Sequence, residues 1–317
     1  MKKIVKIINE RDNWLVVGHI NPNGDAVSSV LLMGQMLSAL DKKYSLFLKD
    51  GVPRRYKGLI KDEIINTEIP KGYDNLLVID TSLFERTGIE EWNGFILNID
   101  HHESNTYFGD INWVEPDAIA ACALIYRLLK VIKIPINRRI AELVYAGIYV
   151  ETGGFSYSNT NVESFKIAYE IAEMIDISNI VYSISNKKEE ELRMISKVLH
   201  TLEFKDGIAI IEMRKDMAES IEVYSSIEAD DFIKFPLFLN NVKVAVFLRE
   251  DTRRGGVRVS FRSREYDVNK IAKELGGGGH RAASGVHIDG MDIKTTRKIV
   301  RKTLEKHILG ERGTFSK

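Results

Sequence analysis

The stretch Phe95-Ile96-Leu97-Asn98-Ile99-Asp100-His101-His102-Glu103-Ser104-Asn105, FILNIDHHESN, runs an aliphatic segment straight into an acid and two adjacent histidines. A short run of large apolar residues fits a strand buried on both faces. Adjacent histidines at its end point in different directions, so one can address a metal while the other faces a substrate. Whether they do so depends on the partners the rest of the chain supplies.

Comparable apolar runs recur through the first half. WLVVG (14–18), YSLFL (44–48) and NLLVI (75–79) read as further buried strands, and GFILNI (94–99) is the strand of the opening stretch. Helical patterns fall at Asp25–Leu40, Ala118–Val131, Asn137–Val150 and Asn161–Met174. Such alternation predicts an α/β fold: a doubly wound, mainly parallel sheet with helices covering both faces. Near Ser185 the pattern changes. SNKKEEELRMISKVLHTLEF is charged, with apolar residues at helical spacing, and reads as a connecting helix. Beyond it GIAIIEM (207–213) is a strand, and VKVAVFL (242–248) with GVRVSFRSR (256–264) reads as a hairpin turned by Arg253-Arg254-Gly255-Gly256. Val268–Leu275 and Ile293–Ile308 read as helices of this smaller α/β domain.

Composition narrows the function. The chain has 317 residues, long enough for two domains. Lys plus Arg and Asp plus Glu both number 45, so the net charge of zero argues against coating long double-stranded nucleic acid. The single cysteine, Cys122, excludes an intrachain disulfide framework and lies in the apolar run AIAACALIY, where it reads as a core residue. No apolar h-region opens the chain and no unbroken apolar run approaches the roughly 18 residues of a membrane span. A cytoplasmic protein without a membrane partner is expected.

Four hydrophobic elements end in metal-competent side chains. The first leads into His19-Ile20-Asn21-Pro22-Asn23-Gly24-Asp25, the second into Asp80, the third into Asp100-His101-His102 and LVYAGIYV (143–150) into Glu151-Thr152-Gly153-Gly154. Singly, each is explained as a helix cap, a turn residue or a solvated carboxylate. Jointly, strand exits of an open parallel sheet converge on one cleft. Mixed imidazole and carboxylate donors suit Mn²⁺, Zn²⁺ or Fe²⁺. Six candidates are too many for one ion with an open position and suit two ions about 3.5–4 Å apart, as in phosphoryl chemistry.

In that order, His19-x-x-x-Asn23-x-Asp25-Ala26, Ile79-Asp80, Asp100-His101-His102 and Glu151-Thr152-Gly153-Gly154-Phe155 resemble the four motifs of the DHH phosphoesterase family. Gly276-Gly277-Gly278-Gly279-His280-Arg281-Ala282-Ala283 resembles the signature of the DHH-associated C-terminal domain. The resemblance implies a catalytic domain over 1–184, a helical linker over 185–204 and a substrate-binding domain over 205–317. It points to the enzymes that degrade nanoRNA, linear dinucleotides such as pApA and pGpG, and in some cases 3′-phosphoadenosine 5′-phosphate. It implies two divalent ions, Mn²⁺ the first choice, one held by His19, Asn23 and Asp80 and the other by Asp25, Asp80, His101 and Glu151. Asp100 and His102 would be catalytic: Asp100 orients His101, and His102 faces the scissile phosphate. A homodimer is compatible with it.

Three positions depart from the family pattern. Aspartates are expected where Asn23 and Glu151 stand, and an arginine often follows Gly-Gly-Phe where Ser156 stands. These departures keep a catalytically weakened nucleotide-binding homologue as the alternative. A manganese pyrophosphatase would carry a Ser-Arg-Lys-Lys-Gln signature, and the sequence has none. For substrate contacts the candidates are Arg262, Ser263, Arg264, Gly278, Gly279, His280, Arg281 and Asn105. Strand alternation puts Arg258, Ser260, Arg262 and Arg264 on one face, where guanidinium forks suit phosphates. Glycine amides beside His280-Arg281 suit an anion nest that grips the far end of a short nucleic acid across an interdomain cleft.

Overall fold

Aliphatic runs of the N-terminal half pair as neighbours in one parallel sheet. The computed structural model describes residues 1–218, 224, 229–252, 254–279 and 281–310. Its contacts cluster into two units, Met1–Asn186 and Lys187–Lys317. In the first, strands β1 (Trp14–Val17), β2 (Tyr44–Phe47), β3 (Ile65–Asn66), β4 (Asn75–Ile79), β5 (Phe95–Asp100) and β6 (Ile111–Val114) lie in the order β3-β2-β1-β4-β5-β6, all parallel. The chain builds outward from β1 and then returns to β4 on its other side. The order therefore reverses between β1 and β4, where open α/β sheets bind ligands.

Every residue of β1 and β4 is buried, which explains their unbroken apolar runs. Trp14 and Val16 face the larger core with helices α2 (Gly24–Ala39), α3 (Ala121–Ile132) and α4 (Arg138–Glu151). Leu15 and Val17 face the other side, where Phe84 of a 3-10 turn and Ile89, Trp92 and Phe108 from irregular segments join Phe47, Leu76 and Val78. That alternation is the period of two expected of a strand. Helices α1 (Lys2–Glu10), α5 (Val162–Ala172) and α6 (Ile177–Ser185) complete the unit. Helix α1, which buries Ile4 and Ile8 one turn apart, and strand β6 were not read from the sequence.

The segment expected as a linker holds α7 (Glu189–Leu199), whose Met194 and Val198 pack in the second unit against Ile211, Met213 and Phe247. There the strands β7 (Glu203–Lys205), β8 (Ile208–Met213), β9 (Val244–Glu250), β10 (Val257–Ser263), β11 (Gly278–Gly279) and β12 (Ala283–Ile288) form a mixed sheet of order β11-β12-β10-β9-β8-β7. Only β8 and β9 are parallel. The opposite face packs on α8 (Val268–Glu274) and α9 (Ile293–Gly310) through Ile271, Val300 and Leu304. The β9–β10 hairpin forms as expected; of its turn, Arg253 lies outside the described residues.

The glycine run has local structural duties. Gly276 has φ +88° after α8, its N–H donating to Lys273 O, while the Gly277 N–H donates to Ala272 O. These two bonds are the Schellman ending of a helix. A Cβ on Gly277 would stand 2.2 Å from the Gly285 carbonyl oxygen. Gly277→Ala should therefore lower stability by about 2 kcal/mol, read as a fall in the denaturant midpoint; an unchanged midpoint would contradict the packing.

Candidate metal centre

His19, Asp80 and Asp100 leave neighbouring strand ends, and this brings the first three motifs together. His19 follows β1, Asp80 follows β4 and Asp100 ends β5. Asp80 has φ +55°, left-handed backbone in which aspartate is better tolerated than most residues. The turn leaves its carboxylate buried, and neither oxygen accepts a hydrogen bond among the described residues. Around it stand His101 Nε2 at 3.3 Å from Oδ1, His19 Nε2 at 3.6 Å from Oδ2 and His102 Nδ1 at 3.7 Å from Oδ1.

Asp25, in the first turn of α2, is fully buried. Its Oδ2 accepts the Ala121 N–H at 2.6 Å and its Oδ1 the Cys122 N–H at 3.1 Å, both at the start of α3. This helix end offers amides and a positive dipole to a carboxylate. Oδ2 also lies 3.9 Å from His101 Nε2. Gly147 of α4 makes the approach possible, since a Cβ there would meet Cys122 Sγ at 2.5 Å and Asp25 Oδ1 at 3.0 Å. Cys122 is buried and its thiol is held neutral by burial and by the Asp25 charge, consistent with a core role.

Glu151 reaches the cluster from the end of helix α4, not from a strand. Two sets of three ligand atoms lie within 4.8 Å of one another: Asp80, His101 and His102, and Asp25, His101 and Glu151. Asn23 stands at the margin. Its Oδ1 caps α2 by accepting the Ala26 N–H at 2.8 Å, and its Nδ2 faces Glu151 Oε2 at 3.4 Å. Two of the three departures from the family pattern therefore touch each other. A glutamate one methylene longer than aspartate meets an amide where two carboxylates would repel.

The expected role of Asp100 is corrected. Its Oδ1 lies 2.7 Å from His102 Nδ1, so it orients His102, while His101 Nδ1 is held by the Ala118 carbonyl at 3.2 Å. Side chains at i and i+2 leave an extended chain on one side, which pairs 100 with 102 and not with 101. Asn105 is corrected as well: it is buried, with Nδ2 donating to Asp100 Oδ2 at 2.6 Å and to Asn98 Oδ1 at 2.8 Å. It positions Asp100 instead of contacting substrate. The sequence signal for this network was Asn98, a polar residue in an otherwise aliphatic strand. The Ala118 carbonyl and the Ala121 and Cys122 amides left no signal, because backbone groups belong to every residue type.

In the second unit Arg262 is half-buried, and Arg264 and Arg281 are exposed. Ser263 is corrected: it is buried, with Oγ donating to Lys243 O at 2.6 Å and accepting the Tyr266 N–H at 2.8 Å, a turn-forming role. Gly278 and Gly279 form edge strand β11 beside Gly285 and Ser284, not an open amide loop. His280 lies outside the described residues. Arg258 is engaged with Asp251 at 2.6 Å.

The residues fit divalent cations. Buried carboxylate oxygens without donors, faced by imidazoles, are what cation ligation requires. With no cation, protons take its place. Burial disfavours a charged His101, but Asp80, Glu151 and Asp25 outweigh this and push it up to about 10. Burial raises Glu151 to about 8, with Asp25 and Asp80 adding to it and His101 opposing. Burial also works against ionised Asp80, but the imidazoles of His101 and His19 hold it well below the usual carboxylate range. At pH 7.5 His101 and Glu151 thus retain protons that ligation expels. Metal uptake should release about one to two protons per chain and weaken as pH falls. Calorimetry in buffers of different ionisation enthalpy reads this directly, and uptake without proton release would contradict the cluster.

The comparisons with known proteins agree with this geometry. Residues 13–148 match the model of the DHH family, N-terminal domain, and residues 228–306 that of the DHHA1 domain. A bifunctional oligoribonuclease and PAP phosphatase NrnA from Thermus thermophilus is 28% identical over 97% of this chain and 94% of its own. The Bacillus subtilis protein of the same name is 27% identical over 92% of this chain and 94% of its own. Among solved structures, an exopolyphosphatase-related protein from Bacteroides fragilis superposes with a TM-score of 0.84 at 26% identity, covering 96% of both chains.

Proposed function

The chain belongs to the DHH family of phosphoesterases, and on that premise we propose that it is a divalent-metal-dependent phosphodiesterase acting on short oligonucleotides and linear dinucleotides. Nucleoside 5′-monophosphates are the products, and 3′-phosphoadenosine 5′-phosphate is a second substrate. The observation that carries this reading is the Asp80 carboxylate: buried, accepting no hydrogen bond among the described residues, and faced by His19 and His101 where the strand order reverses.

Asp80, Asp25, His19, His101 and Glu151 would hold the cations, with Mn²⁺ the ion proposed. Bound there, divalent ions would acidify a water and neutralise charge on the phosphate. Asp100 and Asn105 fix the His102 ring through Nδ1, so that Nε2 is the atom offered to a phosphate oxygen or to the leaving oxygen. In the second unit Arg262, Arg264 and Arg281 offer guanidinium forks to the terminal phosphate of a short substrate. The enzyme is assigned to the cytoplasm, and no helix among the described residues is long and apolar enough to cross a membrane.

Release of AMP from pApA in a Mn²⁺ titration tests the activity. Asp80→Ala should fold and lose at least about a thousandfold in turnover; undiminished cleavage would overturn the assignment. The second reading, a nucleotide binder with weakened catalysis, is favoured by one observation: the Asn23 Oδ1 is spent on a helix cap. Aspartate caps a helix as well as asparagine does. Asn23→Asp should therefore fold normally and tighten Mn²⁺ binding about tenfold through its added charge. Binding of pApA without AMP release at saturating Mn²⁺ would favour the second reading.

A further inference from the structure

Arg86 lies in a single 3-10 turn, Phe84–Thr87, shortly after Asp80. Its carbonyl accepts the Ile20 N–H at 2.6 Å, which ties this turn to the His19 segment. Its side chain is half-buried, and Nη2 stands 3.3 Å from His19 Nδ1. Among the described residues no carboxylate pairs with it, although Asp80 and Asp25 belong to the same centre. Half-buried Arg127 binds Glu115 and Glu163, and Arg139 binds Glu63. Arg86 alone of these three keeps its charge uncompensated beside the acidic cluster.

A structural explanation for that charge is weak. A cation 3.3 Å from an imidazole ligand works against metal binding, so a neutral side chain would serve the fold better. The contact is also provisional. A guanidinium only donates, so Arg86 requires Nδ1 of His19 as an acceptor. The same nitrogen lies 2.8 Å from the Ile20 carbonyl, to which it donates when Nε2 serves as the ligand atom. Nδ1 cannot serve both. In the ligating state the guanidinium faces a donor and needs another acceptor.

We propose that Arg86 is a substrate contact of this centre, turning from His19 to a non-bridging oxygen of the phosphate ester. This rests on the phosphoesterase reading and adds a residue to it. A planar fork next to the cluster suits paired phosphate oxygens and balances charge that the carboxylates would otherwise repel.

The test measures binding, not turnover. Mn²⁺-loaded wild type, Arg86→Gln and Arg86→Lys are titrated with AMP by calorimetry, after Mn²⁺ stoichiometry and affinity are determined for each. The glutamine variant should hold Mn²⁺ at least as well as wild type and bind AMP about ten- to a hundredfold more weakly. The lysine variant should fall between, because it keeps the charge and loses the fork. AMP affinity unchanged in Arg86→Gln would overturn the proposal, as would a wild type with no AMP affinity. Weaker Mn²⁺ binding in that variant would also overturn it, showing that Arg86 only holds His19. A wild type that binds AMP yet leaves pApA intact would overturn the phosphodiesterase reading alone.

Discussion

The N-terminal unit is organised around the Asp80 carboxylate, buried and accepting no hydrogen bond among the described residues. A buried carboxylate without donors is strongly unfavourable, and its left-handed backbone adds strain. Both conditions persist because the surrounding structure fixes them: β4 is locked between β1 and β5, and the Asp80 N–H donates to the Ile99 carbonyl. Without a cation the imidazoles stand in as partners, at distances too long for good hydrogen bonds. A bound cation would give this carboxylate the close partner that the imidazoles do not.

The supports around it use backbone as much as side chain. Asp25 rests on the first amides of α3, His101 on a loop carbonyl, and His102 on Asp100, itself held by Asn105. Such fixed orientation is what keeps ligands and donors aimed without reorganisation. Asn23 and Glu151 modify this plan together. Their 3.4 Å contact makes them one substitution in physical terms: a charge removed at one position is accompanied by a longer acid at the other.

Much of this was legible in the sequence. Buried parallel strands announce themselves by unbroken Val, Ile and Leu, and acids at their ends announce a cleft. His19, Asp80, His101 and His102 at strand ends, Asp25 at a helix start and Glu151 at a helix end were all named from the sequence and meet in one place. The linear pattern misled where a side chain serves its neighbours. Asn105 and Ser263 look like exposed polar residues in sequence, but each is buried as a local brace. The glycine run read as an open loop, yet it ends a helix and starts an edge strand, because close backbone approach also requires glycine.

By itself the sequence determined the class of fold, the chemistry of the donor set and the order in which the donors appear. Those follow from local periodicity and from residue type, which need no knowledge of distant neighbours. Only tertiary structure decided which carboxylate accepts no hydrogen bond among the described residues, which histidine Asp100 orients, and that Arg86 abuts His19 with no acid paired to it among the described residues. Each of these depends on distances between segments far apart in the chain, and on backbone amides and carbonyls that every sequence carries alike.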